Sequence, residues 1–255
     1  MIQKLKEYQF LFEELTKRDF RKKYKRTILG MVWSVLSPLL TLLVMSVIFT
    51  RFFGHSIAHY TTYLFAGNLT FSYFSEATNG GMGALVGNKD IFSKVNVPKY
   101  MFVISTNMSS FFNYLLSLVI FFVFAAFDAI VFRWSFFLLL YPVLCLLAFN
   151  IGMSMILSAL DLFFKDTIYL YRVFTMLLMY ASAIFYSVDT FSVKVQRLFL
   201  CNPIYAYIKF FRIVVIDGTI PSIEYFLLCG FYAAVVLFIG AAIYKRYDSR
   251  FMYYV

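Results

Sequence analysis

The sequence predicts an all-α polytopic membrane protein: six transmembrane helices, an N-terminal amphipathic interface helix, and re-entrant or interfacial helices between spans five and six. Three observations carry this prediction. The 255 residues are 62% hydrophobic and 22% aromatic with only 14% charged, more apolar surface than a water-soluble domain of this length conceals. A basic block (Lys17, Arg18, Arg21, Lys22, Lys23, Lys25 and Arg26) is followed by a stretch from Thr27 to Thr50 without formal charge, and ~20 such residues suffice for a helix to cross a ~30 Å hydrocarbon core. Finally, Lys and Arg divide seventeen to six between alternate connecting segments. Basic residues near a span resist translocation, so this bias puts both ends of the chain in the cytoplasm.

In chain order, residues 1–28 form a cytoplasmic segment. Leu5, Tyr8, Phe12 and Leu15 recur at helical spacing with Lys and Glu between them, the pattern of a helix lying on a membrane or a partner. Span one is expected at about 31–53, with Pro38 inside it, and span two at about 60–84. Span two carries Asn68, Glu76, Asn79 and the Gly80-Gly81-Met82-Gly83 cluster. A carboxylate in lipid is costly, so Glu76 should face other helices or water. Residues 86–99 read as a short cytoplasmic helix with Lys89, Lys94 and Lys99, stopped by Pro98. Spans three, four and five follow at about 100–127, 135–160 and 168–187, and span six at about 226–244. Residues 188–225 are too polar to cross, yet IYAYIKFFRIVVI within them is too apolar to float in water. Buried re-entrant helices reconcile the two.

Catalytic chemistry is not written in this chain. It has no HExxH, no GxSxG, no Walker A sequence and no paired-aspartate motif of lipid phosphotransferases. Cys145, Cys201 and Cys229 are too scattered for a disulfide framework or metal cluster. His55 and His59 lack a third ligand. No signal peptide is evident. The net charge of +10 is concentrated at the amino end, with nine of 23 basic residues before residue 27, where orientation and anionic lipid explain it better than nucleic acid does.

These pieces resemble the permease subunit of ABC transporters that export cell-surface polysaccharides such as O-antigen, capsule, rhamnan and teichoic acid. The match covers almost the whole chain. Arg18-Asp19, a basic run with Tyr24, Leu29-Gly30, Trp33 and Pro38 follow the family's opening pattern. Gly67, then Asn88 to Pro98, form a second match; Asp161 to Asp166, with Lys165-Asp166 in place of the usual Arg-Asp, form a third; Asn202-Pro203 with Arg212 form a fourth. The resemblance implies a single permease domain over 1–255 in the bacterial cytoplasmic (inner) membrane. It implies a homodimer with two copies of a separate ATPase subunit, which would hold the ATP and Mg²⁺; no cofactor is expected on this chain itself. The implied cargo is a lipid-linked polysaccharide passing between the two protomers.

By the same resemblance, Leu29, Gly30, Trp33 and Pro38 form the channel mouth. Leu5, Tyr8, Phe12, Lys89, Asp90, Ile91, Phe92 and Lys94 contact the ATPase, with 86–99 as the coupling loop. Asn202, Pro203 and Arg212 belong to an outer gate over 188–225. Tyr63, Phe71, Tyr73 and Phe74, with Glu76, are candidates to line the path, because aromatic faces stack on the apolar faces of sugars without fixing a register. Beside a purely structural or scaffold membrane protein, which offers no reason for an amphipathic re-entrant outer segment, two rival readings remain at this stage. One is a permease of the same superfamily for small molecules or drugs; the other is a membrane-embedded lipid- or glycan-modifying enzyme, against which the lack of a compact acidic or His cluster argues.

Overall fold

A computed structural model describes residues 2–24, 30–53, 57, 59–92, 94, 97–248 and 251, and within these every regular element is helical. The order is α1 (Ile2–Tyr24), a 3-10 turn at Gly30–Val32, α2 (Trp33–Phe53), α3 (Tyr60–Met82), a 3-10 turn at Val86–Asn88, α4 (Lys89–Phe92) and α5 (Tyr100–Phe127). A 3-10 segment at Trp134–Leu139 runs into α6 (Leu140–Phe163), followed by α7 (Thr167–Ala181), α8 (Val193–Leu200) and α9 (Pro203–Arg212). A π-helical turn at Ile213–Asp217 and α10 (Ile223–Tyr247) complete the chain. These bounds track the expected spans closely, and the expected short helix in 86–99 is present as α4.

Among the described residues, three helices are long and apolar enough to cross a membrane: α5, the continuous Trp134–Phe163 unit, and α10. A fourth is reached if Val193–Leu200 and Pro203–Asp217, which meet at 109°, count as one broken span. The chain is therefore a multi-pass membrane protein. The shortfall against six has a compositional cause. α3 is long enough but diluted by Asn68, Glu76, Asn79 and its glycines. α2 does not lack apolar length: Trp33 to Thr50 carries no charge, and Leu36–Phe49 is the apolar helix among its fully described residues. α7 has 15 residues, about 22 Å of helix, and stops six residues short of the expected end of span five.

α3 is the central helix, packed against α2, α5, α6, α7 and α9. Around it Phe65, Phe74, Phe121, Phe149, Phe210 and Phe211 are fully buried, and such rings dominate the energetics of a core. Two helix pairs approach so closely that only glycine fits. A Cβ on Gly81 would collide with Ser154 of α6, and one on Gly152 of α6 would sit 2.5 Å from Leu237 Cα of α10. By contrast α7 is sparsely packed: Tyr171 and Thr175 are buried, while Leu170, Val173, Met176 and Leu177 stand exposed along it.

At the end of the molecule that holds α1, Leu15 is buried and Leu11 and Phe12 are half-buried in a second cluster with Leu85, Met101, Phe102, Leu162, Tyr244 and Phe251. Among the described residues of α1, Leu15, Leu11 and Phe12 thus pack on this chain's own helices, while Phe10 is exposed. Here too Lys99, itself buried, bonds the Asp248 carbonyl at 2.6 Å and pairs with its carboxylate at 3.3 Å. The opposite end is tied by Thr62 donating to Asp128 and by His59 Nδ1 at 3.4 Å from the same carboxylate. His55 lies outside the described residues.

Candidate functional site

The helical repeat of 3.6 residues puts i, i+3, i+4 and i+7 on one face. Three neighbouring helices use that face for polar groups. α2 presents Ser34, Ser37, Pro38 and Thr41; α3 presents Asn68, Ser72, Tyr73 and Glu76; α5 presents Ser110, Asn113, Tyr114 and Ser117. The stripes converge on a cavity of about 420 Å³, which Trp33 also lines. Asn113 Nδ2 donates to Glu76 Oε1 at 3.1 Å, so the intramembrane carboxylate faces protein and cavity. Tyr73 stacks on Tyr114 with ring centroids 4.4 Å apart. Behind them the Tyr73 hydroxyl and both amide atoms of Asn150 are buried without a hydrogen-bond partner. Pro38 lacks the N–H that α2 would otherwise offer to the Ser34 carbonyl, which loosens the ladder at the cavity wall.

A second polar centre lies at the opposite end. α7 stops at Ala181, and Ala183 follows with φ +49°. The carbonyls released there are captured by side chains. Arg212, 3% exposed, donates Nη1 to Ala183 O at 2.8 Å, Nη2 to Ile184 O at 2.9 Å, and both Nε and Nη2 to Tyr63 O at 3.2 and 3.1 Å. Its guanidinium also stacks 3.3 Å from the Tyr63 ring centroid. Asn202 caps α9 by accepting from Ile204 N and Tyr205 N, with Pro203 at the first helical position, and its Nδ2 donates to Ala181 O at 3.2 Å. Tyr60 and Tyr63 hydroxyls donate to the Phe185 and Tyr186 carbonyls at 2.9 and 2.8 Å. The α8–α9 pair is therefore latched to the broken end of α7.

Beside this latch, Tyr63, Tyr186, Asp189, Lys209, Arg212 and Asp217 border a further cavity of about 550 Å³. Burial opposes ionisation of Asp189, but hydrogen bonds from Lys209 (2.7 Å) and Ser187 (2.8 Å) prevail and hold its carboxyl below the ordinary value of 3.8. A depressed carboxylate pKa contributes stability at pH values above the unfolded pKa, and that contribution is lost as pH falls through the folded one. Asp189→Asn is expected to lower the thermal midpoint by a few degrees at most at pH 6, since the pair is partly exposed. The gap to the parent should close in acid. A gap that stays constant down to pH 3 would refute this assignment.

The third feature joins the amino end to the rest. Arg18 Nη2 donates to Asn88 Oδ1 and to Asp19 Oδ1, both at 2.7 Å, and Asn88 Nδ2 is fixed on the Ala84 carbonyl at 2.7 Å. Asp19 Oδ2 accepts from Ser105 and Thr106 of α5 at 3.4 and 3.3 Å.

The expected site residues thus separate. Trp33, Pro38, Tyr73 and Glu76 meet in the α2–α3–α5 cavity. Tyr63 joins Arg212, Asn202 and Pro203 at the α7 latch. Phe71 and Phe74 lie in the packed core of the protomer, Phe74 against Phe149. Gly30 adopts φ +52° with nothing within 4 Å of a built Cβ, and Leu29 lies outside the described residues. Phe12 is half-buried against the protein's own helices, Ile91 is half-buried, and Lys89, Asp90 and Lys94 are exposed. The side chains of Leu5, Tyr8 and Phe92 lie outside the described residues. Sequence reading missed the serines and Tyr114 of the cavity; their shared spacing on three helices was the available signal.

Apolar helices long enough to cross a membrane, packed around a polar cavity, define the chain as a multi-pass membrane protein. Residues 11–216 match the family described as "ABC-2 type transporter", and the chain belongs to that family. It is 26% identical to an O-antigen export system permease protein RfbA of Klebsiella pneumoniae over 95% of both chains. It is 23% identical to the protein of the same name from Myxococcus xanthus, over 98% of this chain and 97% of that one. A further O-antigen export system permease protein RfbA from Klebsiella pneumoniae is 24% identical, again over 95% of both chains.

Proposed function

We propose that this chain is the transmembrane subunit of an ATP-driven exporter that moves a lipid-linked polysaccharide of the O-antigen kind across the bacterial cytoplasmic membrane. The observation that carries this reading is similarity over 95% or more of the chain to three permeases named for O-antigen export. In this reading α2, α3, α5, the Trp134–Phe163 unit, α7 and α10 are the six spans, both ends are cytoplasmic, and α8–α9 re-enter from the outer side as a gate. The subunit works as a homodimer around a common channel. The exposed apolar side of α7, which the protomer leaves largely uncovered, supports a second copy there. ATP is hydrolysed by two copies of a separate ABC ATPase, with α4 and its exposed Lys89 and Asp90 as the contact. The polar lining of the α2–α3–α5 cavity favours a hydroxyl-rich cargo over an apolar drug.

Deletion of the gene is expected to leave lipid-linked glycan accumulated at the cytoplasmic face and absent from the cell surface, with restoration by the gene in trans. The purified chain should hydrolyse ATP only when its ATPase partner is added. Unchanged surface glycan in the deletion strain, or ATP hydrolysis by the chain alone, would overturn the reading.

A further inference from the structure

The cavity between α2, α3 and α5 is lined by residues of one protomer, whereas the channel proposed above runs between two. We infer that this cavity is a binding site for a single sugar ring of the exported glycan, so that each protomer holds its own subsite beside the common path. The inference rests on the export reading but assigns a place that a channel between protomers does not require.

The chemistry of the walls selects the ligand. A volume of about 420 Å³ falls within the ~300–1,000 Å³ of small-molecule sites and is far too small for a folded partner. The walls combine hydroxyls from all three helices with the Asn68 amide and the Glu76–Asn113 pair. Hydroxyls and amides both donate and accept, as a ring of sugar hydroxyls does, and a carboxylate accepts from two neighbouring hydroxyls at once. Trp33 brings aromatic surface to the same space, suited to the C–H face of a pyranose. Few rotatable groups are needed, since each stripe is held by a helix rather than a loop.

The test uses Trp33 as a reporter. The other tryptophan, Trp134, is 87% exposed at the opposite end, and Trp134→Phe leaves Trp33 as the single fluorophore. The probe is a set of short oligosaccharides released by mild acid from the host's own surface glycan and freed of lipid. Their titration into the purified dimer in nanodiscs should change Trp33 emission saturably. Asn68→Leu and Glu76→Ala should each weaken this response by about tenfold or more. In a second measurement, Ser72→Cys in a Cys201→Ser background is alkylated with a maleimide; Ser72 is exposed to the cavity, and the oligosaccharides should slow the reaction. Absence of a saturable response together with unprotected Cys at position 72 would overturn the site. So would a response that Asn68→Leu and Glu76→Ala leave unchanged. Export in intact cells is read separately: loss of the subsite with glycan export still dependent on the gene sinks this inference alone, whereas a deletion strain with normal surface glycan sinks the export reading itself.

Discussion

Gly152→Val is expected to abolish a stable protein. A Cβ at this position would lie 2.5 Å from the Leu237 Cα and N and 2.6 Å from the Val236 carbonyl carbon, all main-chain atoms of α10. No rotamer relieves a clash made by Cβ itself, so α6 and α10 must move apart. The reciprocal position is as tight, with a Cβ on Gly240 only 2.6 Å from the Gly152 carbonyl oxygen. Overpacking that side chains can absorb costs ~1–3 kcal/mol; a backbone collision belongs at or above the top of that range, against a total stability of ~5–15 kcal/mol. In membranes this loss is poorly recovered, because helix association there depends on close van der Waals packing of small residues rather than on expulsion of water. The thermal midpoint, followed by size-exclusion chromatography in detergent, should fall by about 10 °C or more, and surface glycan should disappear. Gly87→Ala serves as the control, since nothing lies within 4 Å of its built Cβ. A Gly152→Val protein that matches the parent midpoint would show that the α6–α10 approach is not as close as described.

Arg212→Met is expected to leave the helices inserted and to eliminate export. Methionine keeps an apolar stem but removes the guanidinium donors to the Tyr63, Ala183 and Ile184 carbonyls. Tyr63 keeps its bond within α3, whereas the Ala183 and Ile184 carbonyls lose the donor shown for them, at ~1–3 kcal/mol for each buried carbonyl left unpaired. The stack on Tyr63 goes as well, worth ~2 kcal/mol when desolvated. The loss is local to the latch between α7, α3 and α9, so limited proteolysis should newly cut residues 181–192 while the remaining helices resist. Arg212→Lys should restore little, because one ammonium cannot reproduce a planar fork serving three carbonyls. An independent route to the same defect is Gly67→Ala, whose Cβ would lie 2.6 Å from Arg212 Nη2. Export at parental levels in both Arg212→Met and Gly67→Ala would remove the latch from any part in transport.

The long elements were legible because composition and 3.6-residue periodicity are local. The onset of α2, the glycine-bearing end of α3, the bounds of α5 and the bent segment after residue 188 all follow from runs of apolar residues and their interruptions. Two things were not local. The end of α7 at Ala181 is set by partners in α9 and α3, since Arg212 and Asn202 supply the donors that make a break there tolerable. Span five therefore ran too long on its hydropathy. Burial of single aromatics was the other gap: Phe74 and Tyr73 are neighbours in sequence, yet one fills the core against Phe149 and the other faces the cavity. A helix face, read as three matching stripes, would have separated them. The high tyrosine content also has a use that composition left open. Hydroxyls of Tyr141, Tyr207 and Tyr232 bond the Phe226, Cys229 and Leu200 carbonyls at 2.8, 2.9 and 2.8 Å, tying α10 to α6 and α9 and the end of α8 to α10.

The bridge from Arg18 to Asn88 has a mechanical meaning. Asn88 stands directly before α4, and Asp19, next to Arg18, is held on the first turns of α5 by Ser105 and Thr106. In the proposed exporter, a push on α4 would turn about Asn88 and reach α1 through Arg18 and α5 through Asp19. The Arg18 bonds to Asn88 and Asp19 are charge-assisted and short, at 2.7 Å, whereas those from Ser105 and Thr106 to Asp19 are longer. Lengthening the joint by one methylene, as in Asn88→Gln, would introduce slack before any helix came apart.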